Sequence, residues 1–174
     1  MANIRNFESV DFYEIDSLLT DEQKLIRDSI RSFVSKEISP KIEDWYERNH
    51  FPLDIVKKMG NTGIFGPTTS DKYGGGGLDN ISYGLIMQEL ERGDSGMRST
   101  ASVQSSLVMY PIEAYGSEDQ KIKYLPKLAS GEILGCFGLT EPDYGSNPGG
   151  MVSKIEDKGD HYILNGSKMW ISNS

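Results

Sequence analysis

The pattern of apolar and polar positions changes character part-way along the chain. In its first part, apolar residues recur at the steps of one, three and four that are typical of a buried helix face. The first such stripe follows Thr20–Gln23, which has the form of a capping box, and ends before Pro40. It consists of Leu25, Ile26, Ile30, Phe33, Val34 and Ile38. These positions predict one amphipathic helix.

Start and stop signals predict further helices after this one. Short helices are expected through Trp45 and after Pro52. Asp79 can cap a helix that runs to Arg92, because its carboxylate can accept hydrogen bonds from the first free amides. The next helix is expected to begin at the residues after Gly93, which interrupts the pattern.

Two more helical segments complete the first part of the chain. One contains Ala101, Val103, Leu107, Val108 and Ile112, and Pro111 is expected to bend it. The other opens at Ser117–Gln120, a second sequence of the capping-box type, and stops near Gly131. Its apolar stripe consists of Ile122, Leu125 and Leu128.

Residues 61–79 predict a loop that contains four consecutive glycines, Gly74–Gly77. A glycine run can cradle a phosphate, but this spacing matches neither the Rossmann nor the Walker pattern. We interpret the run as a flexible connector between helices.

After Gly131 the pattern becomes strand-like. Ile133–Leu139 is an apolar run of strand length, and residues 151–155 and 161–164 flank a turn. Asn165-Gly166 is a typical two-residue hairpin turn, which predicts that residues 168–172 form a returning strand.

This change predicts an all-α domain over residues 1–131 and the beginning of a β-domain over residues 132–174. Two or three strands leave an unfinished sheet with unpaired edges. We therefore expect the 174-residue chain to be part of a larger polypeptide.

Charge and composition exclude several classes of partner. The net charge of −8 disfavours binding to nucleic acid or to anionic membranes, which need basic patches. No apolar run approaches the roughly 20 residues that span a bilayer. A single cysteine, Cys136, and an acidic N-terminal stretch predict a reducing compartment and no presequence. We expect a cytoplasmic protein, or a mitochondrial matrix protein whose presequence has been removed.

Candidate chemistry is concentrated in one segment. His50 and His161 are the only histidines, and no spacing suggests a metal site or a nucleophile paired with a histidine. From Cys136 to Pro148, an apolar run leads into a polar turn that can offer amides and hydroxyls to a heterocycle or a phosphate. The alternative is an ordinary β-turn.

Two segments resemble the paired flavin signature of the acyl-CoA dehydrogenase family. They are Phe-Gly-Leu-Thr-Glu-Pro over residues 137–142, followed by Gly145-Ser146, and Trp-Ile-Ser-Asn over residues 170–173. The resemblance extends over nearly the whole chain and is greatest to the glutaryl-CoA dehydrogenase branch. Further matching stretches are Glu89–Arg92, Arg98-Ser99, Ser102–Met109, Tyr115–Glu118 and Lys123–Pro126.

The resemblance implies a three-domain fold, with an N-terminal all-α helical domain, a β-barrel-like middle domain and a C-terminal helical domain. This chain would cover the first domain and the first antiparallel strands of the second, and the third would be absent. The implied cofactor is FAD. The residues implied to bind it are Phe137, Gly138, Leu139, Thr140, Gly145, Ser146, Trp170, Ile171 and Ser172.

Several of these positions carry specific roles by resemblance. The Thr140 hydroxyl would bond the pyrimidine edge of the flavin, Trp170 would pack beside the isoalloxazine, and Ser172 would lie near N5. Many relatives have Thr where this chain has Ser172, and Asp where it has Asn147. The first difference implies looser positioning, and the second removes one charge near the nucleotide.

Arg98 is the candidate for substrate specificity. Glu91, Arg98 and Ser102 are seven and four residues apart and would share one face of a continuous helix. One interpretation is a surface ion pair between Glu91 and Arg98, worth under about 1 kcal/mol. The resemblance implies instead that Arg98 binds the distal carboxylate of glutaryl-CoA, oriented by Glu91 and assisted by Ser102. Ser99 would line the same pocket, and Ser146 would also contact the acyl-CoA.

The implied reaction is α,β-dehydrogenation of an acyl-CoA thioester, with decarboxylation of glutaryl-CoA to crotonyl-CoA, in fatty acid and amino acid catabolism. Electrons would pass to an electron-transfer flavoprotein, and the full-length enzyme would be a homotetramer.

The family's catalytic base is a Glu in the C-terminal domain, so no catalytic residue is assigned here and the isolated chain is expected to be inactive. The alternatives are a non-catalytic module and a dehydrogenase of another short-chain acyl-CoA.

Overall fold

Seven α-helices and one antiparallel hairpin form most of the regular structure of residues 12–174, which are the residues that the computed structural model describes. Two π-helical stretches, Val34–Ile38 and Val103–Met109, continue helices of α type. The helices are α1 Asp21–Phe33, α2 Ile42–Glu47, α3 Leu53–Asn61, α4 Asn80–Gly93, α5 Ser95–Ser102, α6 Tyr110–Tyr115 and α7 Glu118–Ala129. The strands are β1 Lys154–Asp157 and β2 Tyr162–Asn165. The prediction of a helical domain followed by the first antiparallel strands is confirmed.

The predicted helix starts are confirmed in atomic detail. The Thr20 hydroxyl accepts a hydrogen bond from the Gln23 amide at 3.2 Å, and the Gln23 side chain accepts one from the Thr20 amide at 3.0 Å. Ser117 forms the same reciprocal box at α7. Asp79 and Asp94 accept amide hydrogen bonds at the starts of α4 and α5. Each cap satisfies amides that lack a partner within the helix.

The hydrophobic core lies between α1, α3, α4, α5 and α7. From the first predicted stripe, Ile30, Val34 and Ile38 are buried in it. Leu25, by contrast, is 68% exposed, and Leu107 and Ile122 of the later stripes are also exposed. These three predictions of burial are wrong, because periodicity identifies a helix face and not its distance from the nearest neighbouring element. The largest fully buried side chains include Phe65, Ile38, Ile55, Met59, Ile86, Leu90, Met97 and Leu125.

Helical bonding continues through the segment that contains Pro111. After α5, the Tyr110 amide donates to the carbonyl of Ser105, five residues back, which is the bonding of a π-helix. Pro111 then lies in the first turn of α6, directly after the π-helical stretch. The helix therefore continues past the proline as α6. The predicted bend at Pro111 stays a prediction.

The glycine run is not the flexible connector that its composition predicts. The amides of Gly74, Gly75, Gly76 and Gly77 all donate to carbonyl oxygens within residues 66–71, at 2.8 to 3.1 Å. A Cβ on Gly75 would collide with the backbone carbonyl of Thr69. Glycine is required here because two stretches of backbone pass close to each other. All four amides of the run are already hydrogen-bonded, so none is free to bind a phosphate.

The β-part of the chain forms fewer strands than predicted. β1 and β2 pair in antiparallel register from Lys154 opposite Asn165 to Asp157 opposite Tyr162, which confirms the hairpin over residues 154–165. Ile133–Leu139 forms no strand, residues 151–153 precede β1, and Asn165-Gly166 does not turn into a strand over residues 168–172. Strands need a neighbour that completes their hydrogen bonds, and residues 12–174 supply none for these segments.

None of the helices in residues 12–174 is long and apolar enough to cross a bilayer.

We expect Gly75→Ala to lower the free energy of unfolding by about 1–3 kcal/mol, because the new methyl group has no room beside Thr69. Gly84→Ala is the matched control. Gly84 lies on an exposed face of α4 with no atom within 4 Å of an added Cβ, so the change should stabilise the protein by about 0.5–1 kcal/mol. Urea unfolding measures both variants. Equal effects of the two substitutions would contradict the close packing of the glycine loop.

Candidate functional site

The two segments of the predicted flavin signature lie side by side. The Met169 amide donates to the carbonyl of Thr140 at 3.0 Å, and the Lys168 ammonium donates to the carbonyl of Leu139, also at 3.0 Å. The segments are therefore neighbours, although the strands expected there are absent. Their adjacency is the geometric condition that a shared flavin site requires.

Asn173 joins this pair of segments to the helical part of the chain. Its side-chain amide donates to the carbonyls of Thr100 and Gly135, each at 3.3 Å. Thr100 belongs to α5, the helix that also contains Arg98 and Ser99. The predicted cofactor residues and the predicted substrate residues therefore converge on the same region.

Gln104 sets the path of the chain from α7 toward this region. Its side chain is fully buried and donates to the carbonyls of Leu128 and Ile133, each at 2.9 Å, while its carbonyl oxygen accepts from the Gly135 amide. The side chain thus provides the bonds that a neighbouring strand would otherwise make. The sequence signal for this role was a single amide residue within an apolar helical stripe.

Glu141 is the buried polar centre of the site. It is 2% exposed, and its carboxylate accepts hydrogen bonds from the amides of Val152 and Ser153 at 2.7 and 2.9 Å and from the Lys168 ammonium at 3.0 Å. One side chain therefore connects the polar turn, the residues before β1 and the segment that begins at Lys168. Local pattern did not identify this role, because nothing in the sequence marks Glu141 as buried.

These contacts lower the pKa of Glu141 to about 2. The nearby Ser153 hydroxyl, the Val152 amide and the Lys168 ammonium all favour the ionised carboxylate. The Ser153 hydroxyl is itself buried without a hydrogen bond of good geometry. We therefore attribute the stabilisation of the charge chiefly to the two amides and the ammonium group.

Most of the predicted cofactor residues present surface that other protein groups do not cover. Phe137 is 42% exposed, Leu139 is 37% exposed and Trp170 is 87% exposed. Trp170 also has a φ of +60°, a left-handed backbone conformation that is uncommon for a bulky residue and recurs at ligand sites. Thr140 and Ile171 are half-buried, whereas the remaining members, Gly138, Gly145, Ser146 and Ser172, are exposed.

The predicted pair of Glu91 and Arg98 forms across the break between α4 and α5. Arg98 Nε donates to one oxygen of Glu91 at 2.6 Å, and the Ser95 hydroxyl donates to the other oxygen at 2.7 Å. The Arg98 side chain is about one-third exposed. Bonds from Arg98 first, and then from Ser95, lower the pKa of Glu91 and keep it ionised. Ser102 follows Arg98 by one turn of α5 and makes no hydrogen bond to either member of the pair.

The break itself is held by Asp94. One oxygen of this buried carboxylate caps α5 through the Met97 amide at 2.7 Å, and the other accepts from the Tyr46 hydroxyl at 3.0 Å. Gly93 permits the close approach of Val34, since an added Cβ would overlap with the valine side chain. This packing turns α5 away from α4, so that Glu91 and Arg98 meet although they are seven residues apart.

His50 lines a cavity of about 330 Å³ beside Tyr46 and Asp94 at the break between α4 and α5, whereas His161 lies on the hairpin. His50 and His161 are exposed, as predicted, and His161 contacts the neighbouring Asp160 at 2.6 Å. Cys136 is also exposed.

Comparison with known proteins identifies the family. Residues 20–132 match the N-terminal domain of acyl-CoA dehydrogenases, and residues 136–174 match the middle domain. The chain belongs to the acyl-CoA dehydrogenase family. The family resemblance predicted from the two flavin-signature segments is therefore confirmed.

Several relatives of this acyl-CoA dehydrogenase chain differ in substrate. The glutaryl-CoA dehydrogenase of Desulfococcus multivorans is 44% identical over 163 residues, which is 92% of this chain and 42% of that protein. The short-chain-specific acyl-CoA dehydrogenase of Clostridium acetobutylicum is 41% identical over 161 residues, covering 91% of this chain and 42% of that protein. The chain thus spans less than half the length of these relatives.

Solved structures of the family have the same fold over this region. The glutaryl-CoA dehydrogenase of Mycobacterium smegmatis in complex with FADH2 is 47% identical with a TM-score of 0.88, over 91% of this chain and 41% of that one. An acyl-CoA dehydrogenase from Bacillus anthracis complexed with FAD is 36% identical with a TM-score of 0.84, over 90% of this chain and 27% of that one. Acyl-CoA dehydrogenases are FAD-dependent enzymes.

We expect the stability that Glu141 provides to depend on pH in the acid range. Its folded-state pKa lies below the ordinary value of 4.5, so its contribution is full above about pH 4.5 and is lost as the pH falls through about 2. The difference in unfolding free energy between the wild type and Glu141→Gln should therefore be largest above pH 5 and shrink toward pH 2. Urea unfolding at a series of pH values measures this difference.

The matched control is Glu156→Gln on the exposed hairpin, where the carboxylate pairs with Lys154 and Lys158 at the surface. We expect little change in the pH profile for this variant. A constant difference between wild type and Glu141→Gln across the range would contradict the proposed stabilisation of the charge.

Proposed function

We propose that this chain forms the part of an acyl-CoA dehydrogenase that binds FAD and the acyl end of the substrate, and that the substrate is glutaryl-CoA. The observation that carries the proposal is the convergence of the two flavin-signature segments with α5. Asn173 bonds to Thr100 of α5, and Met169 bonds to Thr140.

The hydrogen-bonding groups at this place fit a flat heterocycle such as the flavin ring. Among residues 12–174, neither the amide nor the hydroxyl of Thr140 has a hydrogen-bond partner, while the Thr140 carbonyl is already bonded to Met169. The exposed ring of Trp170 offers an apolar face on the adjoining segment. Donors beside an aromatic surface are the combination that holds a planar, polar-edged ring.

The unpaired terminal nitrogens of Arg98 support a carboxylate as the distal group of the substrate. Glu91 engages only Nε, so both terminal nitrogens of Arg98 lack a partner within the described part of the chain. Those nitrogens can donate two parallel hydrogen bonds to a carboxylate. Ser95 fixes the second oxygen of Glu91, which limits rotation of the pair.

Each group of this chain would serve binding and orientation, and none is assigned as the base. In the proposed reaction a base removes the α-proton of the thioester and hydride leaves the β-carbon for FAD, which supplies the oxidation. The carboxylate on the γ-carbon of the resulting glutaconyl-CoA would then leave as carbon dioxide, and the dienolate left behind would take up one proton at the γ-carbon to give crotonyl-CoA. The proton acceptor would be a carboxylate elsewhere in the polypeptide. Holding the substrate in one orientation lowers the entropic part of the barrier.

We further propose an electron-transfer flavoprotein as the partner that reoxidises the flavin. A chain in the structure of the electron transferring flavoprotein of Acidaminococcus fermentans supports this choice, with 40% identity and a TM-score of 0.85 over 88% of this chain.

A short-chain monocarboxylic acyl-CoA is the second candidate substrate. The observations that favour it are the near-equal identity to a short-chain-specific relative and the partial exposure of Arg98, which lets this residue stay solvated without a ligand. The two candidates differ in whether Arg98 contributes to selectivity.

We expect the natural polypeptide that contains this chain to bind FAD. Flavin absorption of the purified protein, and its recovery when FAD is added back after removal, measure this. Protein that stays colourless after addition of FAD would contradict the proposal and favour a non-catalytic module.

We expect Arg98→Ala in the natural polypeptide to lower the ratio of kcat/KM for glutaryl-CoA to kcat/KM for butyryl-CoA by about tenfold or more, as loss of a charge-assisted hydrogen bond predicts. Arg98→Lys should retain part of the selectivity, because it keeps the charge but not the planar donor pair. Arg48→Ala is the control, since Arg48 forms an exposed ion pair with Asp44 on α2. An unchanged ratio in Arg98→Ala would reject the carboxylate role and leave the flavin site untouched.

A further inference from the structure

Lys168 stands between the two segments of the flavin signature, and its ammonium group joins them. It donates to the Leu139 carbonyl and to a carboxylate oxygen of Glu141, each at 3.0 Å, and lies 3.9 Å from the sulfur of Met151. Only 27% of the lysine side chain is exposed. An ammonium with two oxygen partners is held more firmly than the lysines of the hairpin, which among residues 12–174 pair with Glu156 alone.

The carbonyl that Lys168 binds belongs to the peptide group that joins Leu139 to Thr140. The amide on the other side of that peptide group is the Thr140 amide, which has no acceptor among residues 12–174. A cation bonded to the carbonyl polarises the peptide and strengthens its N–H as a donor. The next carbonyl, that of Thr140, is fixed by the Met169 amide. The carbonyls of Leu139 and Thr140 are thus both fixed, while the Thr140 amide between them stays available as a donor.

Glu141 in turn fixes Lys168. Its carboxylate is already ordered by the amides of Val152 and Ser153, so the lysine is bonded to an anchored partner and not to a mobile side chain. Such networks orient a donor more firmly than single bonds do, because each group restrains the next.

We propose that Lys168 and Glu141 form a clasp that orients the Leu139–Thr140 peptide, so that the Thr140 amide serves as a fixed donor to the bound flavin ring. Both are positioning residues, because their side chains act through the peptide and not on the cofactor. This inference rests on the proposed FAD site.

The clasp itself is tested by amide hydrogen exchange in the natural polypeptide from which FAD has been removed. Lys168→Met keeps the aliphatic stem and removes the ammonium group, and Lys154→Met does the same on the exposed hairpin. We expect the Met169 amide to exchange about tenfold faster or more in Lys168→Met, as loss of a charge-assisted bond predicts. Lys154→Met should leave this rate unchanged. Equal rates in the two variants would overturn the clasp.

Its role toward the cofactor is tested in the natural polypeptide by the Kd for FAD and by the circular dichroism of the bound flavin. We expect Lys168→Met to raise the Kd about tenfold and to alter the flavin spectrum, and Lys168→Arg to restore both in part, because arginine keeps a cationic donor. Lys154→Met should match the wild type. Glu141→Gln, which keeps one acceptor oxygen, should give an intermediate Kd.

The outcomes separate the two proposals. Wild-type protein that does not bind FAD would end both of them. If the wild type binds FAD and Lys168→Met binds it with the same Kd and spectrum, only the clasp is overturned. Parallel loss of flavin and of the thermal midpoint in Lys168→Met and Lys168→Arg alike would also overturn it, since that result indicates a general role in stability.

Discussion

Side chains hydrogen-bond several peptide groups of residues 133–141, beside which no strand of residues 12–174 runs, and the site depends on these bonds. A peptide group that is removed from water without a partner costs on the order of a kcal/mol or more. Side chains from distant parts of the chain take the place of a sheet: Gln104 bonds residues 133 and 135, Asn173 bonds Gly135, and Lys168 bonds Leu139. Because side chains, unlike a neighbouring strand, leave selected amides unpaired, the segment keeps donors available for a ligand.

A second constraint acts where α4 meets α5. A continuous helix would separate Glu91 and Arg98 by two turns along its axis. The break at Gly93 and Asp94 brings them into contact, and Tyr46 bonds the capping carboxylate from α2. The ion pair is therefore a product of tertiary packing as much as of spacing. Its exposed side is the side that a ligand can reach.

The features that the sequence predicts correctly are those that depend on residues close together in the chain. The caps at Thr20, Asp79 and Ser117 depend on a side chain and an amide a few residues apart, so the residue types alone identify them. Strands over residues 133–139 and 168–172 depend on partners elsewhere, and apolar composition does not supply those partners. The adjacency of the two flavin-signature segments was expected only from the family resemblance. Glu141 and Gln104 were missed for a related reason, because the burial of a polar residue depends on the whole fold.

The π-helical stretch Val103–Met109 has a consequence for the chemistry of the helix that contains it. Each bond in this stretch spans one more residue than in an α-helix, so the side chains that follow it are rotated by on the order of 100° for each extra residue. Gln104, the second residue of the stretch, reaches the peptide groups of residues 128–135, and Met109, its last residue, is buried in the core. Removing a single residue between them would restore ordinary α-helical phase and rotate Met109 relative to Gln104 by about 100°, so that the two side chains would no longer both face the interior. The length of this stretch, and not only its composition, therefore decides which side chains face the interior.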